Sequence, residues 1–112
     1  MVDIYELLGE LFIDEEIDLN DYEEMVYLIT EILDTYIEKN TKYGNSFGDT
    51  FDKVGIISAY TRISDKFNRF EYMVMNKDNG TDDERMRDTL LDMANYCLMT
   101  VMELEKENEW IR

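Results

Sequence analysis

The fifteen residues LLDMANYCLMTVMEL, numbered 90–104, decide the fold class of this 112-residue chain. Nearly every position around a helical turn is apolar here, and a helix that is apolar all round is typical of a buried position. Thr81 and Glu84, which precede this stretch, form a capping-box pattern that marks the start of a helix. The stretch therefore predicts a long buried helix over residues 82–107, with Cys97 as a small buried hydrophobe.

The remaining chain also reads as helix, with one interruption. Apolar residues at helical spacing predict three further helices, over residues 2–12, 21–40 and 55–76. Residues 42–54 interrupt this pattern with the turn residues of GNSFG, and they predict a loop anchored to the core by Phe47 and Phe51. No segment shows the sustained alternation of apolar and polar residues that marks a strand. We therefore expect an all-α fold, a small helical bundle of about four helices, three of them long, in a single domain.

The charge of the chain is strongly acidic and unevenly distributed. The net charge is −16, and residues 1–38 contain 13 acids and no Lys or Arg. Residues 39–77 have a net charge of +3, and residues 78–112 have a net charge of −6. Such a field repels nucleic acid from most of the surface, so we expect no direct nucleic-acid binding. The basic middle of the chain leaves one region where a compact anion could bind.

The composition excludes several classes of protein. The chain has no His, which removes Ser-His-Asp hydrolases, Cys-His enzymes and His-ligated zinc sites from consideration. No stretch approaches the roughly 18 apolar residues of a membrane span, and no basic leader precedes an apolar run. A single cysteine fits a reducing compartment, so we expect a cytoplasmic protein with no membrane partner.

The helix expected over residues 82–107 contains polar residues that need a partner if they are buried. Asp88, Asp92 and Asn95 fall within a sector of about 60°, because each residue turns a helix by about 100°. A buried carboxylate is costly unless it is paired or bound to a cation. This sector should therefore face either a basic side chain of the helix over 55–76 or a metal ion with its substrate.

The helix over residues 55–76 carries charges that fit the same two interpretations. Arg62, Asp65 and Arg69 lie on one face. Asp65 and Arg69 either form an ordinary pair one helical turn apart, or Asp65 holds a metal while Lys66 or Arg69 holds phosphate. Spacing alone leaves these alternatives equal.

Two further features are weaker signals. Glu31, Asp34 and Glu38 share a sector of the helix over 21–40, which is a solvated acidic face unless the bundle closes over it. The GNSFG segment lacks the GK[ST] end of a Walker loop, although its glycines would let backbone N–H groups approach an anion.

Three segments resemble a family of small phage and Gram-positive proteins, nucleotide modification associated domain 1. They are KYGNSFGDTF (42–51), ISAYTRISDKFNRF (57–70) and RDTLLDMANYCLMTVMELE (87–105). Members of that family show a YG(D/N)SF loop, an R-[LI]-x-DK-x-x-R helix and a DTLLDLANYAIM helix in this order, and the resemblance covers about residues 34–105. The resemblance implies an all-helical fold. It also implies a protein of the kind that phages or prophages often encode. It also points remotely to MazG-like all-α nucleoside triphosphate pyrophosphohydrolases.

This resemblance implies the leading hypothesis, a Mg²⁺-dependent nucleotide-binding protein. In the enzymatic version of this hypothesis, the protein hydrolyses a (d)NTP to the monophosphate and pyrophosphate. The sequence does not decide between hydrolysis and binding alone. Mg²⁺ would neutralise phosphate charge and activate the attacking water. The metal candidates are Asp88, Asp92, Asp65, Glu38 and Asp34, with Glu31 as a further acid. The substrate candidates are Lys66, Arg69 and Arg62 for phosphate, Asn95 and Tyr96 for the base or sugar, and Tyr43 and Asn45 in the loop.

Two other functions are open from the sequence. An acidic phage inhibitor would use the carboxylates of residues 1–38 to mimic DNA toward a host defence or DNA-binding protein. A protein that sequesters a nucleotide signal would keep the pocket and bind its ligand without turnover. Exposed Met and Tyr side chains would also favour a homodimer built by helix pairing.

Overall fold

Residues 19–76 and 83–107 are described by a computed structural model, and these residues form four α-helices and no strand. The helices are α1 (Leu19–Tyr43), α2 (Ser46–Val54), α3 (Ile56–Met75) and α4 (Asp83–Glu107). The all-α bundle with three long helices is confirmed. The expected helices over 21–40, 55–76 and 82–107 match α1, α3 and α4 closely at both ends. The helix expected over 2–12 lies outside the described residues, as does Thr81.

The chain divides into two compact units, residues 1–35 and 36–112, and the boundary falls inside α1. In the first unit Val26 is buried, while its neighbours Met25 and Tyr27 are exposed. The second unit contains the last part of α1 together with α2, α3 and α4. The expectation of a single domain stays a prediction.

The core of the second unit lies among α2, α3 and α4. Lys66 of α3 pairs with Asp92 of α4, and Met73 shares a cleft with Arg85, so the two helices run antiparallel. The short helix α2 packs against both of them. Its Phe51 is only 2% exposed and is the largest apolar side chain of this core.

The loop expected over residues 42–54 is wrong, because Ser46–Val54 is the helix α2. Asn45 caps this helix: the backbone N–H of Gly48 donates to Asn45 Oδ1 at 3.3 Å. Phe51 is buried and Phe47, one turn earlier, is half-buried, with ring centroids 6.5 Å apart. The phenylalanines do anchor the segment as expected, but they do so from a helical turn.

The expectation that α4 is buried all round is also wrong. The buried residues of α4 are Thr89 and Glu103, which are both polar, whereas Cys97 is exposed. Leu98 and Val101 are 52% and 49% exposed. Packing against α2 and α3 uses only one side of α4, so the opposite apolar side stays open.

The buried polar residues of α4 have internal partners. Thr89 Oγ1 donates to the carbonyl oxygen of Arg85 at 2.9 Å, and Lys106 Nζ donates to Glu103 Oε1 at 3.0 Å. These bonds offset the cost of removing the hydroxyl and the carboxylate from water. Within residues 19–76 and 83–107, no helix is long and apolar enough to cross a membrane.

Candidate functional site

Two neighbouring clefts meet at an aromatic pair formed by Phe47 of α2 and Tyr96 of α4. The ring centroids lie 5.9 Å apart, and the ring planes are tilted by 31°. Both clefts are lined by these two rings and by Ser46. The aromatic pair therefore stands between two spaces that lie side by side in the second unit.

The first space, here named the amide cleft, has a volume of about 110 Å³. It is lined by Tyr36, Lys39, Asn40, Tyr43, Gly44, Ser46, Phe47, Asp92, Asn95, Tyr96 and Met99. The α1 residues among these recur at intervals of three and four, so they occupy one face of the last turns of α1. The cleft thus combines aromatic rings with two carboxamides, one ammonium group and the carboxylate of Asp92.

The second space, here named the hydroxyl cleft, has a volume of about 140 Å³. It is lined by Ser46, Phe47, Thr50, Ser58, Arg62 and Tyr96. Among the residues that the structure describes, three aliphatic hydroxyl groups and one guanidinium group line it, and no carboxylate does. Ser58 Oγ already donates to the carbonyl oxygen of Gly55 at 2.9 Å. The hydroxyl groups of Ser46 and Thr50 and the guanidinium of Arg62 suit an anion, because they donate hydrogen bonds and the guanidinium is always charged.

The GNSFG segment shapes both clefts through its backbone. Gly44 has φ +68°, the left-handed region that glycine adopts without strain, and its N–H donates to the carbonyl oxygen of Asn40 at 2.9 Å. This ends α1 and turns the chain toward the Asn45 cap of α2. Ser46 and Phe47 then form the first turn of α2 and line the clefts.

Gly48 of α2 is buried beside Glu103 of α4. A methyl group at this position would lie 2.8 Å from Glu103 Oε1, and it would clash with the carboxamide nitrogen of Asn45. Glycine is therefore needed for packing, although it is an unfavourable residue inside a helix. The motif glycines of this segment thus act by building the turn and the helix contact.

A charged pair lies at the border of the amide cleft. Lys66 Nζ donates to Asp92 Oδ2 at 3.0 Å, with side-chain exposures of 15% and 37%. The partner expected for Asp92 is thus supplied by a basic side chain of α3. Asp92 also lines a third cleft of about 400 Å³, together with Arg69, Arg85 and Asp88.

Comparison with known families gives one match. A family model described as nucleotide modification associated domain 1 matches residues 39–104. The chain belongs to this family. The match includes α2, α3 and nearly all of the cleft-lining residues. No curated protein and no solved structure matches the chain significantly.

Several site residues expected from the sequence of this nucleotide modification associated domain 1 member come together. Tyr43, Asn95 and Tyr96 line the amide cleft, and Arg62 and Tyr96 line the hydroxyl cleft. Asn45 caps α2 beside them. Lys66 holds Asp92, and Arg69 lies near the exposed carboxylate of Asp65 at 3.9 Å, as in the ordinary pairing that the spacing allowed.

The carboxylates expected to hold Mg²⁺ do not form a cluster in the part of the chain that the structure describes. That part contains no group of three or more Asp, Glu or Cys residues placed to hold a metal ion. Glu38 pairs with Lys42 at 3.1 Å, and Asp88 lies 3.9 Å from Arg87. Glu31 and Asp34 belong to the other unit. The described residues therefore do not supply the expected donor set, and Mg²⁺ binding stays a prediction.

Sequence reasoning missed eight of the residues that line the two clefts. The missed residues are Tyr36, Lys39, Asn40, Ser46, Phe47, Thr50, Ser58 and Met99. One signal was present for the α1 residues: Tyr36 continues to Lys39, Asn40 and Tyr43 at helical spacing. The serines and the threonine carry no such signal, because only the position of α2 brings them beside Arg62.

Proposed function

We propose that the amide cleft and the hydroxyl cleft together bind one nucleotide. The base and sugar occupy the amide cleft, and the phosphates extend past the aromatic pair into the hydroxyl cleft. The observation that carries this proposal is the shared Phe47–Tyr96 wall between a cleft lined by carboxamides and one lined by hydroxyls and Arg62. The description of the family supports it, since it associates the domain with nucleotides.

The amide cleft suits a nucleobase because it offers both stacking and hydrogen bonds. Asn40 and Asn95 each present a donor and an acceptor, which is the combination found on the edge of every base. Tyr43 is 71% exposed beside the cleft, so its ring is accessible for stacking on a bound base. Lys39 lies in the same lining and can donate a hydrogen bond to an acceptor of the base or sugar.

The hydroxyl cleft suits phosphate because its polar groups are donors. Arg62 can bind phosphate oxygens through two parallel N–H groups, and Ser46 and Thr50 can donate to the same group. The described residues that line this cleft belong to segments 39–77 and 78–112, and Arg62 is the charged residue among them. The acidic residues of segment 1–38 are not among these lining residues. A compact anion therefore meets a locally favourable field on a chain of charge −16.

Isothermal titration of mono-, di- and triphosphate nucleotides tests this assignment, each with and without Mg²⁺. Arg62→Gln should raise the Kd for a triphosphate about tenfold or more, because it removes a charge-assisted hydrogen bond, and it should change nucleoside binding little. Arg69→Gln is the matched control, since Arg69 lies on the same helix but outside both clefts. If Arg69→Gln weakens binding and Arg62→Gln does not, the phosphates lie in the third cleft and the proposal is wrong.

The enzymatic version requires a separate experiment. Incubation of the protein with a (d)NTP and Mg²⁺, followed by detection of pyrophosphate, distinguishes hydrolysis from sequestration of an intact nucleotide. Asp88→Asn should abolish turnover if Asp88 helps to hold Mg²⁺, and it should leave binding in the amide cleft unchanged because Asp88 is not in that lining. Release of the nucleotide unchanged after binding would support the sequestering version.

The acidic-inhibitor function is favoured by one observation on α1. Five carboxylate residues in the described part of this acidic segment are exposed: Asp21, Glu23, Glu24, Asp34 and Glu38. An ordered row of carboxylates can imitate phosphates toward a DNA-binding partner. Replacing Glu15, Glu16, Glu23 and Glu24 by Gln should then weaken binding to a purified host DNA-binding protein, most strongly at low salt. Equal binding by wild type and this variant would remove that function.

A further inference from the structure

Three polar side chains of the amide cleft keep hydrogen-bonding capacity that the described residues do not use. Asn40 and Asn95 are half-buried, and no hydrogen bond joins either carboxamide to another described residue. Asp92 is also half-buried, and the ammonium group of Lys66 is its partner in the described part of the chain. A ligand that covers these groups must supply matching hydrogen bonds, because a polar group that loses water without gaining a partner is costly.

Asp92 differs from the two asparagines because an ionised carboxylate only accepts hydrogen bonds. Its two oxygens offer about four acceptor positions. Lys66 Nζ, at 3.0 Å from Oδ2, occupies one of them, which leaves Oδ1 and part of Oδ2 available. The side chain of Asp92 is 37% exposed and lines the amide cleft, whereas that of Lys66 is 15% exposed and is not among the lining residues. Lys66 therefore holds a pair of acceptors at the edge of the cleft.

The common nucleobases differ in the hydrogen-bonding groups on the edge that they use for pairing. Guanine presents two adjacent donors there, N1–H and the 2-amino group, which match the two oxygens of one carboxylate. Adenine and cytosine place a ring-nitrogen acceptor beside their amino group, and uracil and thymine place a carbonyl oxygen on each side of their N–H. Each of these four bases would set an acceptor against a carboxylate oxygen, which is repulsive. A cleft lined by a carboxylate therefore favours guanine.

Asn95 extends this match along α4. It lies three residues after Asp92, so the two side chains are neighbours on the surface of the helix. Its carboxamide N–H can donate to O6 of guanine, which is the acceptor next to N1–H. We propose that the amide cleft selects guanine nucleotides, with Asp92 accepting from N1–H and the 2-amino group and Asn95 donating to O6; this inference rests on the nucleotide site proposed above.

Isothermal titration without Mg²⁺ tests the base preference in the unaltered chain. GTP should bind with a Kd at least about tenfold lower than that of ATP, CTP or UTP, since a matched bidentate contact discriminates by about that factor. Inosine triphosphate differs from GTP by the absence of the 2-amino group, so it should bind about tenfold more weakly than GTP. Equal Kd values for GTP and the other triphosphates would overturn guanine selection and leave nucleotide binding intact. Failure of every nucleotide to bind would overturn both proposals.

A substitution that changes the hydrogen-bonding pattern tests Asp92 itself. Asp92→Asn replaces one acceptor by a donor, which matches xanthine, because xanthine has a carbonyl oxygen where guanine has its 2-amino group. The variant should therefore prefer xanthosine triphosphate over GTP, and loss of a purely structural residue would not produce this exchange. If the single variant is too unstable to titrate, Lys66→Met combined with Asp92→Asn should show the same exchange. Asp52→Asn is the control, because Asp52 is exposed on α2 outside both clefts, and it should keep the preference for GTP.

Two results with the Asp92→Asn variant would contradict this assignment. One is an unchanged preference for GTP over xanthosine triphosphate. The other is an equal loss of affinity for every nucleotide that appears only when Mg²⁺ is present, because a metal ligand acts on the phosphates that all nucleotides share and not on the base.

Discussion

At Gly48, a single hydrogen atom in place of a methyl group allows α2 to lie against α4. A helix interior ordinarily favours alanine over glycine by up to about 1 kcal/mol. Here the carboxylate of Glu103 and the carboxamide of Asn45 occupy the space that a methyl group would need. Because Glu103 is buried and holds Lys106, it cannot move away freely.

Gly48→Ala should therefore destabilise the protein, by about 1–3 kcal/mol, despite the gain in helix propensity. Chemical denaturation measures the change in the free energy of unfolding. Asp49→Ala, at the next position of α2, is the control and should change stability by less than about 0.5 kcal/mol, since Asp49 is exposed. A Gly48→Ala variant as stable as wild type would contradict this account of the helix contact.

The Lys66–Asp92 pair gives a second prediction at a single side chain. Asp92→Asn leaves the ammonium group of Lys66, which is 15% exposed, without its carboxylate. The expected loss is about 1–3 kcal/mol, smaller than for a fully buried pair because Asp92 is 37% exposed. Thermal melts of the ligand-free protein measure it.

A double variant separates this explanation from a metal site. Lys66→Met combined with Asp92→Asn removes both charges, so it should recover much of the stability that Asp92→Asn alone loses. If Asp92 instead serves mainly as a metal ligand beside Asp88, Asp92→Asn relieves repulsion in the empty site. The single variant would then be at least as stable as wild type without metal.

The helix α2 shows why elements were easier to predict than their packing. The long helices α1, α3 and α4 follow from repeated apolar spacing, which many residues specify together. Around the start of α2, the residues Gly44, Asn45 and Gly48 look like a turn because each is typical of one. Asn45 acts as a helix cap. Glycine is needed at position 48 because a side chain there would clash with Glu103, which is distant in sequence. That contact cannot be read from the local pattern.

Loss of the cap should destabilise α2. Asn45→Ala removes the oxygen that accepts from the Gly48 N–H, and it should lower the free energy of unfolding by about 1 kcal/mol. Asn45→Asp keeps an acceptor in place and should retain most of the stability. Hydrogen exchange at the Gly48 amide is the local measurement, and it should become faster in Asn45→Ala only. Equal exchange in both variants would argue against the cap.

At the scale of the whole molecule, negative charge opposes the compact state. The chain carries a net charge of −16, and folding brings these charges closer together. Raising NaCl from about 20 mM to about 300 mM shortens the screening length and should raise the Tm by several degrees. A neutral osmolyte at the same osmolarity is the control and should reproduce less of this rise. A Tm that falls with added NaCl would indicate that attractive pairs outweigh the repulsion.

Only part of the candidate site could be predicted from the sequence, because the packing of the helices brings the remaining residues together. Asn95 could be chosen because it interrupts an apolar run, and Arg62 because it is a cation in a basic segment. Tyr96 could be chosen because it lies in a segment that resembles the family. Ser46 and Ser58 could not, since ordinary surface serines look the same until α2 and α3 are placed side by side. The expected burial of Cys97 failed for a related reason: an apolar pattern shows which residues would favour burial, and it does not show which side of the helix the neighbouring helices pack against.

The two glycines that flank α2 have backbone conformations that D-amino acids adopt more readily than L-amino acids. Gly44 and Gly55 have φ values of +68° and +78°, and the space where an L-methyl group would stand is empty at both. An L-alanine there would meet no neighbouring atom, so its penalty would come from backbone handedness alone. D-amino acids favour this region, and a synthetic chain with D-alanine at position 44 should therefore be more stable than its L-alanine counterpart. The protein thus offers two places where mirror-image residues suit the natural backbone better than natural ones.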